Sequence, residues 1–365
     1  MSAISPSTVR HDDSSRRLRF DTWTVLTIAV ASLIALPLVS VGIKAFGPNR
    51  DIWSHLFDTV LWTYVSNTLG LMAGVCVLTI AIGTSTAWLV TMYRFPGRKL
   101  MSWALLLPLA VPGYVLAFVV TDQLEYAGNL QVALRLLFGW ESARDYWVPE
   151  IRSLGGAIIV MSLVLYPYVY LLARAAFIEQ CFGLFEVSRT LGLGPVKSFL
   201  QIAVPLARPA IAVGVALALM ETLNEFGTVE FFAVPTFTAG IFDVWLNMDS
   251  VAGAAQLAGV MVFFAFGLVW IERRSRRQQR YWHTTTRVQA LPEYPLGAVT
   301  QWIALAWCVV PVLFGFVLPV SVLAGYSLEY YEVSLEGPFA TYAWNSLKLA
   351  AWAALVAAVV GIVLA

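Results

Sequence analysis

Eight apolar runs set the terms on which this chain can fold. They cover approximately Trp23–Ala45, Tyr64–Met92, Leu100–Asp122, Gly155–Ala175, Ala207–Phe226, Val251–Ile271, Ala298–Leu323 and Trp344–Ala365. A helix of about 20 residues crosses the hydrocarbon layer of a bilayer. In that layer every backbone N–H and C=O must bond within the protein, so runs of this kind predict helices. Composition points the same way. Hydrophobic residues make up 59% of the chain and charged residues 12%, about half the charged share of soluble domains, and mean hydropathy is +0.75. The expected fold is an all-α polytopic membrane protein. The first run is too long for a signal-peptide core and no small-x-small cleavage site follows it, so it reads as a retained span.

Orientation follows from the basic residues, which concentrate on the cytoplasmic side of membrane proteins. With the N-terminus inside, the tail to residue 21, the Arg94–Lys99 turn, the segment around Arg189 and the Arg273–Arg287 stretch hold 17 of the 23 Lys and Arg. The reverse orientation puts most of them outside.

The chain also repeats itself. Thr63-Tyr64-x-x-Asn67-Thr68-Leu69-x-Leu71 recurs 278 residues later as Thr341-Tyr342-x-x-Asn345-Ser346-Leu347-x-Leu349. Upstream, Leu36-Pro37 with Ser40-Val41 is echoed by Leu318-Pro319 with Ser321-Val322. The expected organisation is a tail (1–21), a first half of six spans (22–272), a basic linker (273–297) and the opening two spans of a second half (298–365). Parallel repeats of this kind are one of the ways transporters are built. The second half is expected to continue past residue 365 in a complete two-half protein of about twelve spans.

Between the fourth and fifth runs lies a polar insert, Glu186–Pro205, reading EVSRTLGLGPVKSFLQIAVP. Leu184, Val187 and Leu191 share one helical face. Gly192 and Gly194 suit a left-handed helix end, and Pro195 suits the first position of a second helix. Val196, Phe199, Leu200 and Ala203 then form an apolar stripe, with Lys197, Ser198 and Gln201 turned elsewhere. The insert is therefore expected to be a hairpin of two short helices on the cytoplasmic side. Without a partner it is no more than a solvated loop helix.

Glu186, Gly192, Ile202 and Pro205 fall at the spacing E-x5-G-x9-I-x-[LV]-P. That spacing resembles the EAA loop of ABC importer permeases, with Val187 and Ser188 standing where Ala-Ala is usual. The resemblance implies a type I permease bundle whose Glu186, Gly192, Gly194, Pro195, Ile202 and Pro205 dock onto an ATP-hydrolysing subunit. It also implies two such ATPases, a periplasmic substrate-binding protein and a bacterial inner-membrane location.

A second stretch, Met220-Glu221-Thr222-Leu223-Asn224-Glu225-Phe226-Gly227-Thr228, closes the fifth run. Glu221 and Glu225 are four residues apart, hence expected on one helical face, where like charges repel unless water or a cation separates them. Carboxylates at such depth usually face a bundle interior or a wet cavity; the alternative is that the helix has already emerged into water. Tyr166–Gln180, Leu206–Ile211 and this stretch are similar to the permeases of bacterial ferric-iron ABC importers. The resemblance implies iron as cargo, and Glu221, Asn224, Phe226, Gly227 and Thr228 stand at its matching positions; with Glu225, these are the residues expected along the translocation pathway. Thiamine, phosphonate and polyamine importers are the rivals in the same class. A secondary transporter or channel is the rival of another class, and would need no ATPase.

Other chemistry finds little footing. Val196 stands where a P-loop needs the Gly before its Lys, so ATP binding falls to a separate chain. Cys76, Cys181 and Cys308 are scattered, as are His11, His55 and His283, giving no expected disulfide or metal set. No catalytic motif, cofactor or nucleic-acid footprint is expected at a net charge of +1. Pro108 and Pro112-Gly113 are expected to kink the third run. Gly70 and Gly74 read as close-packing positions. The outer loop carries Tyr126, Trp140, Tyr146 and Trp147, which suit either a binding protein or the lipid interface.

Overall fold

The structure, a computed structural model, describes residues 22–47, 50–142, 144–147, 149–179, 192, 194–276, 294–332 and 338–364. The chain falls into two compact units, Gly42–Tyr331 and a second made of Met1–Val41 with Glu332–Ala365. The helices, in chain order, are α1 (Thr22–Ala45), α2 (Arg50–Thr59), α3 (Leu61–Met92), α4 (Arg98–Ala104), α5 (Gly113–Leu124), α6 (Asn129–Phe138) and α7 (Leu154–Glu179). They continue as α8 (Pro195–Asn224), α9 (Gly227–Phe231), α10 (Phe237–Leu246), α11 (Val251–Arg276), α12 (Thr300–Glu329) and α13 (Phe339–Leu364). Among the described residues seven helices are long and apolar enough to span a membrane, or eight if one bent pair counts as a span.

That bent pair is the third run. Residues Arg98–Ala110 and Gly113–Phe138 meet at 92°. The expected kink is thus a full break, at Val111-Pro112, where proline removes an N–H and forces the preceding residue to extend; Val111 has ψ 115°.

The core of the larger unit is a trio, α3, α7 and α8. Helices in lipid gain little from hydrophobicity and associate through close packing, so small residues sit where they cross. A Cβ on Gly83 of α3 would stand 2.8 Å from Val169 Cβ, and one on Gly214 of α8 would stand 2.8 Å from Val169 Cα. Both glycines therefore grip the same turn of α7. Gly74 does the same farther along, its missing Cβ falling 2.5 Å from Ile158. Hydroxyls inside α3 bond back to their own helix: Thr79 to Val75 O, Thr84 to Ile80 O, Thr86 to Ile82 O and Thr91 to Ala87 O. All four are buried in the bundle, and the bond to the preceding turn satisfies each hydroxyl there.

α12, the next described helix after α11, belongs to this bundle. Tyr93–Arg94 and Tyr294–Pro295 pair as two short parallel strands, and Trp307 Nε1 donates to Ser85 Oγ at 2.8 Å. Gly315 sits on Pro108 and the Leu163 carbonyl, and Tyr326 donates to Asp122. Cys308 is buried in the same contact and Cys76 is half-buried, both in apolar surroundings; Cys181, His11 and His283 lie outside the described residues. In the smaller unit, α1 and α13 are exposed along their apolar windows.

Candidate functional site

Glu186 and the expected first helix, with Leu184, Val187 and Leu191, lie outside the described residues, as does Leu193; Gly192 and the segment from Gly194 onward are described. Gly192 has φ +74°, and no described atom lies within 4 Å of a would-be Cβ, so backbone conformation is what favours glycine there. Gly194 differs from expectation. It is extended (φ −69°, ψ 166°) and caps the helix that Pro195 opens.

That helix is not short. It runs unbroken for 30 residues, Pro195–Asn224, from the insert to the far end of the bundle. The expected separation of hairpin and span at Pro205 does not occur, because residues Phe199–Ala203 form a widened π turn in which Val204 N–H bonds to Phe199 O. The turn ends two residues before Pro205, and this local widening relieves the proline's clash with the preceding turn. α12 solves the same problem identically, with a π turn at Leu313–Val317 two residues before Pro319.

The expected stripe is split: Phe199 and Ala203 turn inward, whereas Val196 and Leu200 are 69% and 59% exposed and Ser198 is buried. Ile202 is half-buried against the bundle core. Phe199 points inward, 5.4 Å from Trp88, which in turn lies edge-on to Phe177 at 5.4 Å. An apolar groove of about 450 Å³ beside it is lined by Trp88, Tyr93, Val196, Phe199, Ile303 and Trp307 among others.

At the other end of α8 the second motif divides in two. Glu221 and Asn224 are exposed on one face with Leu217, and Glu221 lies within electrostatic reach of the Tyr168 hydroxyl. Glu225 does not share that face. The helix ends at Asn224 and Glu225 is extended (ψ 115°), so its Oε1 accepts from Thr228 N (2.9 Å) and Thr228 Oγ1 (2.8 Å). It satisfies the open N-terminus of α9, as capping side chains do. Phe226 stacks on Phe242 at 4.0 Å. Gly227 meets Tyr114, and Thr228 is fully buried against Gly113. Four of the six residues expected on a pathway thus build the turn that follows it, and two face outward.

The repeated motif acquires a role that its sequence did not disclose. Asn67 Nδ2 donates to Pro235 O at 3.0 Å, and Thr68 Oγ1 accepts from Phe237 N at 3.0 Å. The Tyr64 ring lies on Gly240, whose added Cβ would come within 2.5 Å. These three side chains of α3 clamp the loop that returns from α9 into α10.

In the Glu125–Arg152 loop, Arg135 lies 4.0 Å over the Tyr126 ring, Trp140 stacks on Tyr146 at 4.7 Å, and Arg152 pairs with Glu125 at 2.7 Å. Trp147 alone of its expected aromatics is wide open, at 84%. Among the described residues no group of three or more His, Cys, Asp or Glu is placed to hold a metal ion.

Residues 79–278, more than half of the chain and including the whole insert, match the family described as binding-protein-dependent transport system inner membrane component, and the chain belongs to that family. It is 29% identical over 263 residues to the Fe(3+)-transport system permease protein FbpB 2 of Haemophilus influenzae, covering 72% of this chain and 47% of that one. The chain therefore spans about half the length of that relative. It is 26% identical over 227 residues to the molybdenum transport system permease protein ModB of Escherichia coli, covering 60% of this chain and 96% of ModB. A bacterial alginate ABC transporter, solved with an alginate-bound periplasmic protein, superposes with a TM-score of 0.56 at 17% identity, covering 70% of this chain and 94% of that one. The fold is that of a type I ABC importer permease, a transport component of the inner membrane.

Proposed function

We propose that this chain is the membrane-spanning subunit of an ABC importer for ferric iron. In this reading it has two permease halves and a cytoplasmic N-terminus. Two ATPase subunits grip it from below and a periplasmic binding protein delivers its cargo. The observation that carries the proposal is the unbroken α8. A helix of 30 residues is about 45 Å long, and it joins the Gly192–Pro205 segment at one end to Glu221 and Asn224 at the other. ATPases closing on Glu186, Gly192, Gly194, Pro195, Ile202 and Pro205 would move a rod whose far end carries the pathway face. Val196 and Leu200, apolar and exposed at its tip, suit such a partner. Each conformation must bind cargo differently for transport to follow.

Iron is favoured over the oxyanions by charge. From Glu221 to Ser250 the chain carries Glu221, Glu225, Glu230, Asp243 and Asp249 with no Lys or Arg. Such an entrance attracts a cation and repels molybdate or sulfate. The test is uptake of radiolabelled iron and of molybdate in cells with and without the gene, each supplied with its ATPase and binding protein. Iron accumulation that depends on the gene and on ATP is expected. Molybdate uptake without iron uptake would overturn the cargo, and ATP-independent uptake would overturn the class.

A further inference from the structure

The clamp formed by Tyr64, Asn67 and Thr68 has a twin whose occupant is missing from the described residues. α3 begins at Leu61 and α13 at Phe339, so both copies of the motif open a helix two residues before its Thr. In α3, Tyr64, Thr68 and Leu71 are 4%, 4% and 2% exposed beneath the Pro235–Gly240 loop and its neighbours. In α13, Tyr342 and Leu349 are 64% and 73% exposed, and the Asn345 and Ser346 side chains are also exposed. The chemistry is the same at every contacting position: an aromatic ring, an amide donor, a hydroxyl acceptor and an apolar base. Gly83, where α3 meets the backbone of α7, also has a counterpart in Gly361, whereas Gly74 is replaced by Trp352.

We propose that Tyr342, Asn345 and Ser346 clamp a second returning loop of the Pro-x-Phe-x-x-Gly kind. In such a loop the proline carbonyl accepts from the Asn345 amide, the N–H two residues on reaches the Ser346 hydroxyl, and the glycine lies under the Tyr342 ring. The loop belongs to the second permease half, whether that half continues this polypeptide or is carried by another, so the inference rests on the two-half reading above. The loop of the first half cannot serve, because it is already held by α3. Trp352 interrupts the likeness between the clamp and Gly361: the second half cannot bring its counterpart of Ile158 as close as Gly74 allows.

The test is photo-crosslinking in membranes holding the complete transporter, with p-azidophenylalanine at Tyr64 in one variant and at Tyr342 in another, the attached peptide being read by mass spectrometry. The expected result is Val234–Gly240 from the first probe, and from the second a peptide with the same Pro, aromatic and Gly spacing. A second probe that labels only lipid or another element overturns the proposal. So does a first probe that misses its own loop, since the template would then be wrong. Loss of ATPase from the same purified membranes would strike the importer reading and leave the clamp untouched.

Discussion

Phe199, inside the widened turn of α8, lies ring to ring 5.4 Å from Trp88 of α3. This contact fixes the base of the rod to the bundle, while Leu200 beside it and Val196 in the turn before stay open. Stability and coupling should therefore separate. Phe199→Ala is expected to cost on the order of 2 kcal/mol, since a half-buried ring and its aromatic pairing are lost, and to lower the thermal midpoint in detergent. Val196→Ser with Leu200→Ser should leave that midpoint in place and reduce the ATPase that co-purifies.

Gly192 is left-handed with no described atom within 4 Å of an added Cβ, so conformation and bulk can be tested apart. Asn tolerates that region, whereas a β-branched residue is strained there by about 1–2 kcal/mol. Gly192→Asn should support near-normal uptake and Gly192→Val should not, with equal amounts of both in the membrane. Gly194→Ala, at an ordinary extended position, should be silent.

Gly83 and Gly214 close on the same turn of α7 from two helices. A methyl at either meets backbone, which cannot swing aside, so Gly83→Ala or Gly214→Ala should each destabilise by about 1–3 kcal/mol. Thermal unfolding of the purified protein measures it, with Gly259→Ala, which meets nothing, as the control.

The two glutamates near the end of α8 should behave differently. Glu225 caps α9 through two bonds to Thr228, and Glu225→Ala should cost about 1 kcal/mol of stability. Glu221 is exposed, so Glu221→Gln should leave stability alone and lower iron uptake. Equal stability losses in both would count against Glu221 as a pathway residue.

In the outer loop, Asp145 accepts from the N–H groups of Ser142 and Glu141, and these bonds hold its carboxyl below the ordinary carboxylate range. A pKa lowered in the folded state gives stabilisation that is complete above the unfolded value of about 3.9 and is lost as pH falls through the lower folded value. The protection factors of the Glu141 and Ser142 amides should therefore hold at neutral pH and fall in acid below that range. In Asp145→Asn the acid step should vanish.

Hydropathy is a local property, which is why the apolar runs and their number could be read directly from residues such as Trp23–Ala45 or Val251–Ile271. Helix ends were harder. Pro205 in isolation signals a break, and only the compensating turn at Phe199–Ala203 shows that the rod continues. Glu221 and Glu225 looked like a pair because four-residue spacing assumes an unbroken helix, whereas the chain leaves the helix between them. The repeat at Tyr64 was visible, but its partners Pro235, Phe237 and Gly240 lie about 170 residues away, and no local pattern announces them. The association of α12 with α5 and α7 is equally remote in sequence.

One extra residue in a helical turn advances every later side chain by about 100°. The turn at Phe199–Ala203 is therefore a fixed twist between the two ends of α8. Phe199 keeps company with Trp88 while Ala207, Ile211 and Gly214 keep company with α7 only because of that twist. Deleting a single residue there would leave composition and hydropathy almost untouched. It would nonetheless rotate the tip of the rod away from whatever is meant to grasp it.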